Sequence, residues 1–155
     1  MYTVKQILEL IDVLAPFETA EDWDNSGLMI GNPNQPVSRI LLALDVNEEV
    51  VHEAISQKYD LIIVHHPMIF KGIKQITSES RVGKLSMALI KAGISVIAAH
   101  TNLDRSFEYG INTYVGSRLN LKNITALGLY GIVGEIESKK SLGDLLIAQI
   151  GRAHV

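Results

Sequence analysis

The 155-residue chain contains no cysteine, which excludes disulfides and thiolate metal sites at the outset. Although 47% of the residues are hydrophobic, no uninterrupted apolar run reaches the roughly 18 residues that a transmembrane helix needs. Charge of one sign is scarce as well, with 14 basic against 17 acidic residues and a formal net charge of −3. A polyanion binder would carry a basic excess, and no block of like charges suggests a tail or a membrane-surface helix. The opening MYTVKQILELIDVLAP has an acidic residue inside its apolar stretch and no cationic leader, unlike a signal peptide. GNPNQP, at 31–36, lacks the lysine and the helix context of a phosphate-cradling loop. What remains is the composition of an ordinary globular domain with ample apolar surface for a core. The expectation is a soluble, cytoplasmic protein with neither nucleic acid nor membrane as partner.

The pattern along the chain is that of an α/β fold. Residues 3–14 read as a helix, because Thr3 and Gln6 form a capping box and Val4, Ile7, Leu8, Ile11 and Leu14 share one face. Pro16 ends it. From Arg39 the order becomes regular: RILLALDV, NEEVVHEAISQ, YDLIIVHH, then a loop, SRVGKLSMALIKAG and ISVIAAH. The first, third and last of these are short Ile/Val/Leu runs, the signature of strands buried on both faces. The segments between are helical, with Asn47 as a cap of the first and Gly93 as the C-terminal stop of the second. Strand–helix–strand–helix–strand predicts a mostly parallel sheet with right-handed crossovers, flanked by helices. A further helix over 108–119, a strand in GLYGIVGEI and a last helix opened by Ser141 and Asp144 complete the reading.

Each of these strands ends in polar residues: Asp45, then His65 and His66, then His100. In open parallel sheets ligands bind at the carboxyl ends of the strands, so these side chains converge on one edge, with Asp104 four residues beyond His100. Neighbouring residues on a regular strand point to opposite faces, but Pro67 interrupts the strand and lets both imidazoles face one cleft. Imidazole and carboxylate together suit zinc, iron, manganese or cobalt. Blander readings stand beside this one. An isolated His-His pair also arises on surfaces by accident, and HTNLD also reads as a turn in which Asn102 or Asp104 satisfies backbone amides. His52, mid-helix among glutamates, reads as solvated. Trp23 reads as a packing residue, while Asp24 and Asn25 either cap a turn or line a pocket.

WDNSGLMIG, LDV, DLIIVHHPMIF and AAHTNLD, in this order and spacing, resemble the Nif-three-like family, also called the GTP cyclohydrolase I type 2 family, over residues 1–135. The resemblance implies the N-terminal lobe of a two-lobed α/β protein with a dinuclear metal centre in its cleft, often assembled as a toroidal hexamer. It matches His65, His66 and Asp104 to metal ligands for two divalent ions of the zinc, iron or manganese class. His100, Asp24 and Asn25 are then candidates for holding ligands in place, facing substrate or relaying a proton. The implied activity is metal-assisted hydrolysis of a small, nucleotide-like molecule, GTP by the family's name, with a metal-bound hydroxide as nucleophile. The alternative is a non-catalytic adaptor that holds or delivers metal through protein contacts. The family's remaining ligands, a histidine and a glutamate four residues apart, lie far downstream, and nothing in this chain matches them. The expected division is a metal-binding lobe over 1–128 and the start of a following lobe or linker over 129–149. IGRAHV, at 150–155, reads as a non-native tail, so His154 is left out of any site.

Overall fold

The computed structural model describes residues 1–136, which form two compact units, Met1–Leu103 and a second beginning at Asp104. The expected helix at Ser141 and the tail at 150–155 lie outside the described residues.

In the first unit, β1 (Tyr2–Thr3) leads into α1 (Val4–Leu14). The capping box is present: the Gln6 amide donates to Thr3 Oγ1 at 3.3 Å and the Thr3 amide to Gln6 Oε1 at 2.9 Å. There follow β2 (Gly27–Ile30), β3 (Pro36–Val37), β4 (Ile40–Ala43), α2 (Glu48–Ser56), β5 (Leu61–Val64), α3 (Arg81–Ala92) and β6 (Ser95–Ala98). Asn47 caps α2 through its side chain, and Gly93 closes α3 in the left-handed conformation at φ 68°. The main sheet has the order β2-β6-β5-β4, and the β4–β5 and β5–β6 pairs are parallel as expected.

Alternation along β5 and β6 divides the core in two. Ile62, Val64, Val96 and Ala98 pack with Val51, Leu85 and Leu89 of α2 and α3. Leu61 and Ile97 face the other way, onto Val4 and Ile7 of α1. A sheet covered by helices on both faces explains why these strands read as continuous apolar runs.

Two features differ from the sequence reading. The sheet is mixed, because β2, a segment with no strand signature of its own, pairs antiparallel with β6. In addition, β4 is an edge strand rather than a strand buried on both faces: Ile40 and Leu42 are exposed while Leu41 and Ala43 pack inward. Its short apolar run looks the same in sequence as that of β5, but among the described residues no further strand pairs with it and one of its faces is left uncovered.

In the second unit, α4 (Thr101–Arg105), which starts in the first, is followed by α5 (Ile111–Arg118) and the antiparallel hairpin β7 (Lys122–Leu127) and β8 (Gly131–Glu135). The strand expected in GLYGIVGEI starts later, at Gly131, because the segment before it forms the hairpin turn, with Gly128 at φ 64°. α5 packs on the hairpin through Gly116, where a Cβ would stand 2.6 Å from Ile132 Cδ1. Among the described residues no helix is long and apolar enough to cross a membrane.

Candidate metal centre

The parallel register sets Ala43, Val64 and Ala98 side by side, so the residues that follow each strand emerge at one edge. Just beyond β5 the His66 amide donates to Leu44 O at 2.9 Å, and the Ala99 amide donates to Val64 O at 2.9 Å. Pro67, with no N–H to give, ends the ladder there. The regular alternation is broken, and the three imidazoles meet. Ring centroids lie 4.9 Å apart for His65–His66, 5.1 Å for His65–His100 and 5.6 Å for His66–His100.

Each ring is oriented through its Nδ1. That atom lies 2.9 Å from Ala99 O for His65, 2.8 Å from Asp45 Oδ1 for His66 and 2.9 Å from Asp24 Oδ1 for His100. A carbonyl and a carboxylate oxygen accept hydrogen bonds from these rings. Each ring therefore carries a proton on Nδ1, the orientation typical of ligating histidines. The candidate ligand atoms of the three residues all lie within 4.8 Å of one another. Nitrogens on one tetrahedral zinc at about 2.1 Å from the metal sit about 3.4 Å apart, within the limit these donors keep. By donor chemistry and tautomer, the set fits a divalent ion of the zinc, iron or manganese class.

Asp24 anchors the cluster from behind. Its side chain has no solvent exposure. It accepts from the Asn25 amide at 2.7 Å, Ser26 Oγ at 2.8 Å, the Thr101 amide at 3.1 Å and Thr101 Oγ1 at 2.5 Å, besides the His100 ring. Burial alone pushes its carboxyl up, but the hydrogen bonds from Thr101, His100 and Ser26 outweigh it and hold the group well below the usual carboxylate range. Asp24 thus lies behind the His100 ring, bonded both to that ring and to the backbone amides of Asn25 and Thr101. Asn25 is exposed, and its side-chain amide donates to Ile69 O at 2.5 Å, stapling the 21–26 loop to the loop after His66. The HTNLD segment enters helix α4 instead of forming a turn, but Asn102 does satisfy a backbone amide: its Oδ1 accepts from the His100 amide at 2.9 Å, and its Nδ2 donates to Ala15 O at 2.7 Å.

His100 stands in the donor cluster itself, beside His65 and His66. Asp104 lies on α4 as the first residue of the second unit. His52 is exposed, as expected. Two further residues matter. Asp45 orients His66, and the only hint of this in the sequence is its place at the end of a strand. Trp23 corrects the packing reading, since it is 58% exposed, with its ring 6.3 Å from His100 and 5.8 Å from Phe70.

The chain matches the family described as Duf34/NIF3 (NGG1p interacting factor 3) over residues 2–152. It is 43% identical over 124 residues to a protein named GTP cyclohydrolase 1 type 2 homolog from Staphylococcus aureus, an alignment covering 80% of this chain and 33% of that protein. The chain thus spans about a third of the length of the curated relatives it matches. Among solved structures it resembles the Staphylococcus aureus protein SA1388, with a TM-score of 0.76 and 41% identity over 81% of this chain and 40% of that one. It also resembles reduced HcgD from Methanocaldococcus jannaschii, with a TM-score of 0.83 and 29% identity over 97% of this chain and 60% of that one.

Proposed function

The chain belongs to the Duf34/NIF3 family, and on that premise we propose that it carries the N-terminal part of a dinuclear metal centre in a metal-dependent hydrolase. In this reading His65, His66 and Asp104 hold two divalent ions. The observation that supports it is the convergence of three imidazoles, each with its Nδ1 engaged by an acceptor and each with a ligand atom within 4.8 Å of the others. When bound, such ions supply Lewis acidity and a nucleophile from water at neutral pH. The protein's own groups do the rest. Asp24 keeps the proton of His100 on Nδ1, so Nε2 of that ring is placed to take a proton as water attacks. Asp45 and Ala99 O hold the other two rings in the ligating orientation. The substrate in this proposal is a small nucleotide-like molecule, with GTP the first to test, and the working assembly is a homohexamer.

The test is metal content and turnover in the full-length protein. Purified protein should retain divalent metal and open the purine ring of GTP, and His65→Ala should lose both. A second reading, a metal-holding adaptor acting through protein contacts, draws support from the family's description as an interacting factor. Retained metal with no turnover of any nucleotide would favour it.

A further inference from the structure

Two large aromatic side chains stand in water beside the histidine cluster. Trp23 is 58% and Phe70 45% exposed, and their centroids are 5.8 Å apart. Both rings meet His100 nearly edge-on, at 76° and 78°, with centroids 6.3 and 6.5 Å away. Their positions are tied down on both sides. Trp23 directly precedes Asp24, whose carboxylate is held by His100 and by Thr101 at the start of α4, and Phe70 directly follows Ile69, whose carbonyl accepts from Asn25. The sequence therefore builds a fixed aromatic wall next to the candidate metal ligands and leaves its faces open.

We propose that Trp23 and Phe70 form a stacking platform that holds a flat nitrogen heterocycle of the substrate against the His65–His66–His100 cluster. The wall is faceted, not a clamp. With the two rings tilted by 43° at 5.8 Å, there is no gap for a ring between them, since a sandwich needs about 7 Å. The ligand lies on an outer face, stacked on one side only. A wholly apolar occupant is disfavoured, because it would strip water from the adjoining His66 and Asp45 side chains, which are 46% and 54% exposed, and give nothing in return. A heteroaromatic ring meets both demands, offering a π-face to the indole and phenyl and heteroatoms at its edge to the imidazoles. It also offers a handle on a nucleotide-like molecule other than its phosphates, for which GNPNQP lacks the lysine and helix context.

The inference rests on the hydrolase reading for the fate of the ring but not for its binding, and the experiment separates the two. Trp23 is the single tryptophan of the chain, so its fluorescence reports on this site alone. Metal-free protein is titrated with GMP and, in parallel, with ribose 5-phosphate, which lacks the base. GMP should quench Trp23 saturably and ribose 5-phosphate should not. Phe70→Ala and Phe70→Leu should each weaken GMP binding about tenfold, Phe70→Tyr should restore it, and zinc affinity should be unchanged in all three. Absence of saturable quenching, equal quenching by ribose 5-phosphate, or wild-type affinity in Phe70→Leu would overturn the platform. Quenching that behaves as expected in a protein that neither retains metal nor turns over GTP would leave the platform standing and remove the hydrolase.

Discussion

At the scale of single residues, Asp24 is the side chain on which the geometry of the site depends most. A buried carboxylate facing five donors is stabilised in its ionised form, and its folded-state pKa lies below the ordinary aspartate value. The stability this provides is fully present above about pH 4, the value expected in the unfolded chain, and is lost as the pH falls below it. Asp24→Asn should therefore destabilise the metal-free protein at neutral pH, and the gap to wild type should narrow as the pH drops below about 4. Urea unfolding of both proteins across that range measures it, and a gap independent of pH would rule the account out. Sequence reasoning named Asp24 and His100 but not their bond, because the two lie 76 positions apart. Nor did it find Asp45 as the partner of His66, since the polar end of a strand says nothing of where its side chain points. Trp23 was misread for a related reason: large aromatics are usually buried, and only the placement of the loop shows this one in water.

At the scale of elements, β2 is the least legible part of the sheet and the part that most constrains the site. It joins β6 by an irregular antiparallel register between Leu28 and Ile30, begins at Gly27 and is followed by Gly31, both glycines with positive φ, at 121° and 124°. The two glycines serve different needs. A Cβ at Gly27 would meet nothing within 4 Å, whereas one at Gly31 would lie 2.0 Å from Ser95 Oγ and 2.8 Å from Ser95 Cα. Gly27→Ala should cost only backbone strain, about 1–2 kcal/mol, and Gly31→Ala more, about 3 kcal/mol or above, because β2 must also move off Ser95. Thermal or denaturant unfolding of the two variants gives the comparison, and equal losses would show that the close approach at Gly31 carries no weight. The α/β alternation, by contrast, was legible from β4 to β6. Caps at Thr3, Asn47 and Gly93 and apolar runs at Leu61–Val64 and Ser95–Ala98 are local signals, and local signals survive in sequence.

At the scale of the whole molecule, metal held by the histidine cluster would be linked to folding. Its donors come from the ends of β5 and β6, so an ion held there binds the folded chain and not the unfolded one. With free zinc at a hundredfold excess over its dissociation constant, the gain is about 2.7 kcal/mol, or a rise in melting temperature of roughly 5–10 °C for a chain of this size. The 155-residue chain should show that rise in differential scanning calorimetry, lose it with EDTA, and not show it as His65→Ala; an unchanged melting temperature would mean that the cluster holds no metal by itself. By itself the sequence determined the order of α1 to α3 and the central strands, the arrest of β5 at Pro67, and the delivery of His65, His66 and His100 to the carboxyl edge of the sheet. Each of these follows from propensity, periodicity or a neighbouring residue. Only the tertiary structure decided that β4 is an edge, that β2 closes the other side, that acceptors 34, 21 and 76 positions away fix the three imidazoles, and that Trp23 stands open beside them. Those outcomes depend on where distant backbone segments come to rest, and a one-dimensional pattern carries no record of that.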